Sequence, residues 1–353
     1  METRKLQKVG GGTYTVSIPK EWATDHHLEA GAPVHVYTHD DGTLVVRSSR
    51  RDEEPIESVT LDVSAGDSAD VERVLHAAYT AGFTDVTLTT TESFTDADRR
   101  AARSVASTLA GAELLDATEE EIAMRNFLDS GEVSMRQAVG QLRFLTLAIH
   151  RTATADVGAG VEERREGLRQ REGDVERFFG LVTHHFTRAL ASLQEVDALG
   201  VSRLDLFAYY LSARRLTAVV AHARTVIAEL ERVDRPVPEA FADEVDALAE
   251  AARDVIERAT TAVLNDATLA DASDVLVDAE NVAARAADAR HAVHDGETGA
   301  RADVRALAGV LDGVERTAEC GAEIAEIAVH TAIRAEHEPQ RGCPGTGSGA
   351  TSR

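Results

Sequence analysis

The chain has 353 residues and a formal net charge of −24, from 61 acidic against 37 basic side chains. That length predicts two or three domains with ample chain for real cores, so no disulfide or metal framework is needed for folding. Two cysteines, Cys320 and Cys343, are too few for a disulfide scaffold and lack the spaced partners of a zinc site. The N-terminus has no apolar signal core and no apolar run approaches membrane-helix length, which predicts a cytoplasmic protein with no membrane insertion.

The charge is unevenly spread. Only three of the basic residues are lysines, Lys5, Lys8 and Lys20, and all lie in the first twenty positions. Residues 1–50 hold six basic and six acidic side chains, so residues 51–353 carry the whole −24. A high acidic charge with almost no Lys predicts a halophilic chain kept soluble in concentrated salt. An evenly acidic surface repels nucleic acid, and the net-zero arm is where that exclusion fails.

Residues 4–50 read as strands around one short helix. Tyr14, Val16 and Ile18 alternate with Thr13, Thr15 and Ser17, the period of a half-buried strand, and Gly10–Gly12 mark the turn before it. Pro19 ends the ladder and Lys20–Leu28 can form a short helix. Val34, Val36 and Thr38 resume the alternation, and Asp40-Asp41-Gly42 turns the chain into Leu44–Val46. This is too little chain to bury a core alone, so a homodimer is expected. Trp22 and Tyr14 are the expected core residues of a small barrel.

A charged linker follows over 51–60. The connector, residues 51–131, reads as a small α/β unit with strands at Val59–Val63 and Asp85–Thr89. Its helices fall at Ala69–Ala81 and, after the cap-like Thr95, at Asp96–Ala110, with a last strand near Glu113–Leu115. From 132 to 335 the pattern is helical, with breaks near Gly158–Gly160, Gly200, Pro236/Pro238, Asn265–Asp266 and Gly296–Gly299. These delimit six helices, with bundle seams at Val220, Ala223, Ile227, Leu230 and at Val304, Leu307, Leu311, Val314, Ala318, Gly321. HARTVIAEL against CGAEIAEI is a weak internal match, which suggests two repeats, about 132–235 and 236–335. Residues 336–353 are Gly/Ser/Pro-rich and expected to be disordered.

The segments RKLQKVGGGTYTVSIPKEW and LEAGAPVHVYTHDDGTLVV resemble the AbrB/MazE/SpoVT family of swapped-hairpin DNA-binding domains, over residues 4–48. The shared features are a basic first strand, a Gly turn, an Ile-Pro-Lys-Glu helix start, a Leu-x-x-Gly turn and an Asp-Gly hairpin. The resemblance implies a swapped-hairpin β-barrel, all-β with one short helix, that interlocks two chains. It also implies DNA contacts from Arg4, Lys5, Lys8 and Lys20. Four cations in a short arm, doubled by a dimer, can neutralise several phosphates. Salt weakens each such contact. The bland alternative is a module kept for dimerisation alone.

SRLDLFAYYLSARRLTAVVAHARTVIAE and LAGVLDGVERTAECGAEIAEIAV resemble the two signature helices of the PhoU family of phosphate-uptake regulators. The likeness spans about 133–335 and implies two three-helix bundles, an all-α double bundle. The family's helices carry acidic pairs that hold multinuclear metal. Here the last helix keeps Glu315 and Glu319, whereas the matching positions of the third are Thr217 and Ala221, with His222 beside them. Glu315, Glu319, Glu323 and Glu326 form one row on a helix face, which wants a cation, Arg partners or water. A solvated acidic face is the plain reading. A divalent metal at Glu315 and Glu319, of the hard Mg²⁺ or Ca²⁺ kind, is the sharper one.

His26-His27 and His184-His185 are adjacent pairs that point to different helix faces and cannot chelate together. The Gly10–Gly12 run is no phosphate loop, because no Lys-Ser/Thr follows it. No nucleophile and base share a recognisable context, so no enzyme is expected. Together these readings imply a cytoplasmic, homodimeric, DNA-binding transcription regulator of phosphate uptake. Its expected partners are promoter DNA and a phosphate-transporter ATPase or sensor kinase. The alternative is an adaptor that contacts such a partner and never binds DNA.

Overall fold

A computed structural model describes residues 3–10, 12–39, 42–48, 56–63, 68–155, 161–295 and 301–337. Gly11, the turn residues Asp40 and Asp41, the linker over 51–55, the breaks at Gly158–Gly160 and Gly296–Gly299, and the tail from 338 lie outside them. The chain divides into two compact units, Met1–Pro55 and Ile56–Arg353.

In the first unit, β1 (Gln7–Val9) pairs antiparallel with β2 (Thr13–Thr15), and β3 (His35–Thr38) pairs with β4 (Leu44–Arg47). Helix α1 (Lys20–Asp25) lies between the hairpins in sequence. The expected barrel is overturned: the two hairpins are separate two-stranded sheets that do not close on one another. Closure requires strands long enough to stagger and tilt around an axis, and strands of three and four residues are not. The helix also stops short of Leu28, because His27 takes a left-handed φ of 53° and the Leu28 N–H turns back to the Ala23 carbonyl.

The second unit opens with a four-stranded mixed sheet in the order β5-β6-β8-β7. Its strands are β5 (Ser58–Asp62), β6 (Asp85–Thr89), β7 (Ala112–Ala117) and β8 (Glu121–Asn126), with α2 (Ser68–Thr80) and α3 (Asp96–Thr108) as the crossovers. Val86 and Leu88 of β6 and Ile122 and Met124 of β8 alternate into a core with Leu75 and Tyr79 of α2 and Val105 of α3. Thr95 and Asp98 form a reciprocal capping box at the start of α3. The sequence reading missed β8, a charged strand whose alternation is Ile122, Met124, Asn126 against Glu121, Ala123, Arg125.

The helices are α4 (Met135–Thr154), α5 (Val161–Ala191), the short α6 (Leu193–Leu199), α7 (Arg203–Leu230), α8 (Glu239–Leu264), α9 (Leu269–Asp295) and α10 (Arg301–His337). The expected double bundle is also corrected. Helix α10 packs on α7 as well as on α8 and α9, α4 packs on α8, and one apolar core runs from Met135 to Ala328 across both halves. The result is a single packed multi-helix bundle.

Glycines let α10 approach its neighbours. A Cβ on Gly313 would sit 2.6 Å from Val226 Cγ2 of α7, and one on Gly321 would sit 2.7 Å from Val255 Cγ1 of α8. No helix among the described residues is long and apolar enough to cross a membrane.

Candidate nucleic-acid interface

Pairing in the first hairpin sets which side chains share a face. Lys8 stands opposite Tyr14, while Gln7 faces Thr15 and Val9 faces Thr13. Side chains alternate along a strand, so Lys8 and Tyr14 lie on one face and Gln7, Val9, Thr13 and Thr15 on the other. Arg4, Lys5, Lys8 and Lys20 are all exposed. Arg4 precedes the hairpin and its Nη1 reaches the Ser17 Oγ at 3.4 Å. Lys20 opens α1 directly after Pro19, whose backbone takes the N-cap position with no side-chain cap. Here Glu21 supplies the acid that suits a helix start, and Lys20 extends the basic arm.

Arg47 was not among the sequence candidates. It ends β4 opposite His35 and its guanidinium lies 5.9 Å from the centre of the Tyr37 ring. The two hairpins therefore each carry a cation beside a tyrosine, Lys8 with Tyr14 and Arg47 with Tyr37. A cation next to an aromatic ring on an exposed strand can meet a phosphate while the ring covers sugar or base.

The apolar side chains of this unit are unburied. Leu6, Val9, Tyr14, Val36 and Leu44 are all at least half exposed, and none of the described residues before 56 is buried. Tyr14 at 64 % exposure is no core residue of the isolated chain, and Trp22 is half-buried with its ring 4.8 Å from that of His26.

In the helical region the structure gives the acidic row of α10 arginine partners. Arg290 of α9 holds Glu315 through Nε at 2.8 Å and Nη2 at 3.5 Å, and Arg215 of α7 holds Glu323 at 2.7 Å. Glu319 lies within electrostatic reach of Arg316. Thr217 spends its hydroxyl on the Ala213 carbonyl of its own helix. Burial, then the nearby Arg316, hold the His222 imidazole below its ordinary pKa. Among the described residues, no group of three or more His, Cys, Asp and Glu is gathered to hold a metal ion. Cys320 is buried and its thiol is pushed up to about 12, so it is not a nucleophile at neutral pH.

A buried polar junction, invisible in sequence, joins the sheet to the bundle. The Tyr79 carbonyl can only accept, so His184 Nδ1 carries the proton donated to it at 2.7 Å. The neutral Nε2 then accepts from the Asn126 amide at 3.1 Å. Its neighbour His185 turns to Glu195 Oε1 at 2.7 Å, which also accepts from Ser130, while Arg188 holds Glu195 Oε2 at 3.0 Å. Arg188 also donates to the Gly82 carbonyl and to Thr84. Burial alone raises the Glu195 carboxyl, but His185, Arg188 and Ser130 outweigh it and bring it down to about 2. Apart from His185 Nε2, which is buried with no hydrogen-bond partner among the described residues, the groups here are spent on packing, so the junction is architecture.

No curated protein matches the chain. Residues 7–54 match the family model described as "Antidote-toxin recognition MazE, bacterial antitoxin", which covers both hairpins and α1 but far less than half of the chain. The chain thus joins a MazE/AbrB-like hairpin region to a large helical region consistent with a PhoU-like fold.

Proposed function

We propose that the chain is a DNA-binding transcription regulator that acts as a homodimer joined through residues 1–55. The observation that carries this reading is the MazE-type match over residues 7–54, a segment on which Lys8 and Lys20 are exposed. The unburied apolar faces of the hairpins support the dimer, because a second copy supplies the cover they lack. The doubled arm presents Arg4, Lys5, Lys8 and Lys20 to phosphates. The helical bundle is the regulatory part, and the likeness of α7 and α10 to PhoU signature helices ties it to phosphate supply. A phosphate-transporter ATPase or a sensor kinase is the matching partner. The Arg–Glu pairs that hold α10 to α9 and α7 occupy Glu315 and Glu323, which weighs against a metal-holding role for that row.

A second reading, an adaptor that never touches DNA, is favoured by the −24 charge that residues 51–353 carry, since this opposes approach to a polyanion. Chromatin immunoprecipitation with sequencing separates the two, in phosphate-rich and phosphate-starved cells, for wild type and an Arg4→Glu/Lys5→Glu variant. Discrete peaks upstream of phosphate-transport genes that vanish in the variant support the regulator. Flat profiles in the wild type leave the hairpins as a dimerisation device and the adaptor in front.

A further inference from the structure

A cavity of about 240 Å³ lies between the turn joining α7 to α8, the end of α9 and the first turn of α10. Pro236, Phe241, Val293 and Leu307 give it apolar walls, and Arg235 and Asp303 are its charged lining. Asp303 is only 6 % exposed. Its Oδ1 accepts the backbone N–H of Asp234 at 3.2 Å, which ties the turn to α10. Its Oδ2 is buried and makes no hydrogen bond among the described residues. Arg235 Nε stands 3.8 Å from that oxygen, beyond hydrogen-bond length, on a side chain 67 % exposed. A buried carboxylate oxygen left without a donor is costly, and an exposed guanidinium at that distance answers it only by charge.

We propose that this cavity binds a small zwitterion with an apolar body, of the class of a neutral apolar α-amino acid. Its ammonium group donates to Asp303, its carboxylate takes the forked donors of Arg235, and its side chain covers Phe241, Val293 and Leu307. A ligand bearing one charge fails on physical grounds. A simple cation would meet Arg235 beside it, and a simple anion would meet Asp303. Size points the same way. At roughly 30 Å³ per water the cavity equals about eight waters, below the roughly 300 Å³ at which pockets for drug-sized ligands begin. The proposal is independent of the DNA reading, because no residue before 56 takes part.

Isothermal titration calorimetry on the full chain tests it, with L-phenylalanine and L-leucine against phenethylamine and 3-phenylpropionate. The expected result is binding of the amino acids, with each single-charge analogue weaker by at least about tenfold. Asp303→Asn keeps an oxygen for the Asp234 N–H and should weaken binding by a similar factor, and Val293→Phe, which fills the cavity, should abolish it. Circular dichroism melts establish that both variants are folded. Equal affinity for phenethylamine and phenylalanine overturns the proposal, as does binding unchanged in both variants. So does the absence of heat from wild type with either amino acid at about 10 mM.

Discussion

Three buried side chains make the stability of this molecule depend on acid. Burial, with Arg253 and then His222 nearby, pushes His150 down to about 3, and burial outweighs the Tyr79 carbonyl to bring His184 down to about 4. Both stay neutral in the folded state and take up a proton near 6.5 when unfolded, so stability is full above 6.5 and falls as pH drops toward their folded values. Each contributes up to about 1.4 kcal/mol per pH unit through that window. Glu195, held down to about 2, adds a loss that begins near 4.5. Urea titrations from pH 7 to pH 3 should therefore show a steady decline, and His150→Gln should flatten it between 6.5 and 4. An unchanged slope in that variant would remove His150 from the account. On the surface, Lys8→Glu should weaken promoter affinity at low salt and reduce the slope of log affinity against log salt by about 1.8, the share of two phosphate contacts, one from each arm of the dimer. Fluorescence anisotropy across a salt series reads this directly, and a slope equal to wild type would remove Lys8 from the interface.

At the scale of elements, the close approach of α10 to α7 rests on what Gly313 lacks. Alanine there gains about 1 kcal/mol of helix propensity but drives a Cβ to 2.6 Å from Val226 Cγ2, and overpacking of that kind costs about 1–3 kcal/mol. The expected net effect of Gly313→Ala is a loss of about 1 kcal/mol, recovered in part by adding Val226→Ala. A gain in the single variant would mean that the helices separate freely. The same contact explains what the sequence could and could not reveal. Val220, Ala223, Ile227 and Leu230 announce a seam by their spacing, and all four are buried. Spacing says nothing of which helix a seam meets, so two bundles were expected where the glycines of α10 weld one. The hairpins were legible from alternation and turn residues, whereas closure into a barrel depends on strand length and neighbours that a pattern does not encode. The junction of His184, His185, Glu195 and Arg188 was out of reach, because its partners Tyr79, Asn126 and Ser130 lie far away along the chain. The basic arm was legible as charge, but the pairing of Lys8 with Tyr14 and of Arg47 with Tyr37 needed the register.

For the whole molecule, the first unit presents apolar side chains that a monomer leaves in water. Light scattering after size exclusion should find twice the chain mass of 37.8 kDa at micromolar loading. Val9→Glu, which sets a charge on the face opposite Lys8 and Tyr14, should shift the balance to monomer while the helical unit keeps its ellipticity. A dimer that survives unchanged would place the joint elsewhere. On the dimer reading, the missing interior of residues 1–55 has a consequence for dosage. The module gains its core only when two chains meet, so its folding is a second-order event and the population able to hold DNA grows with the square of chain concentration while dimers are scarce. Doubling expression would then quadruple the competent form, and the abundance of the protein would itself act as an input to the genes it governs.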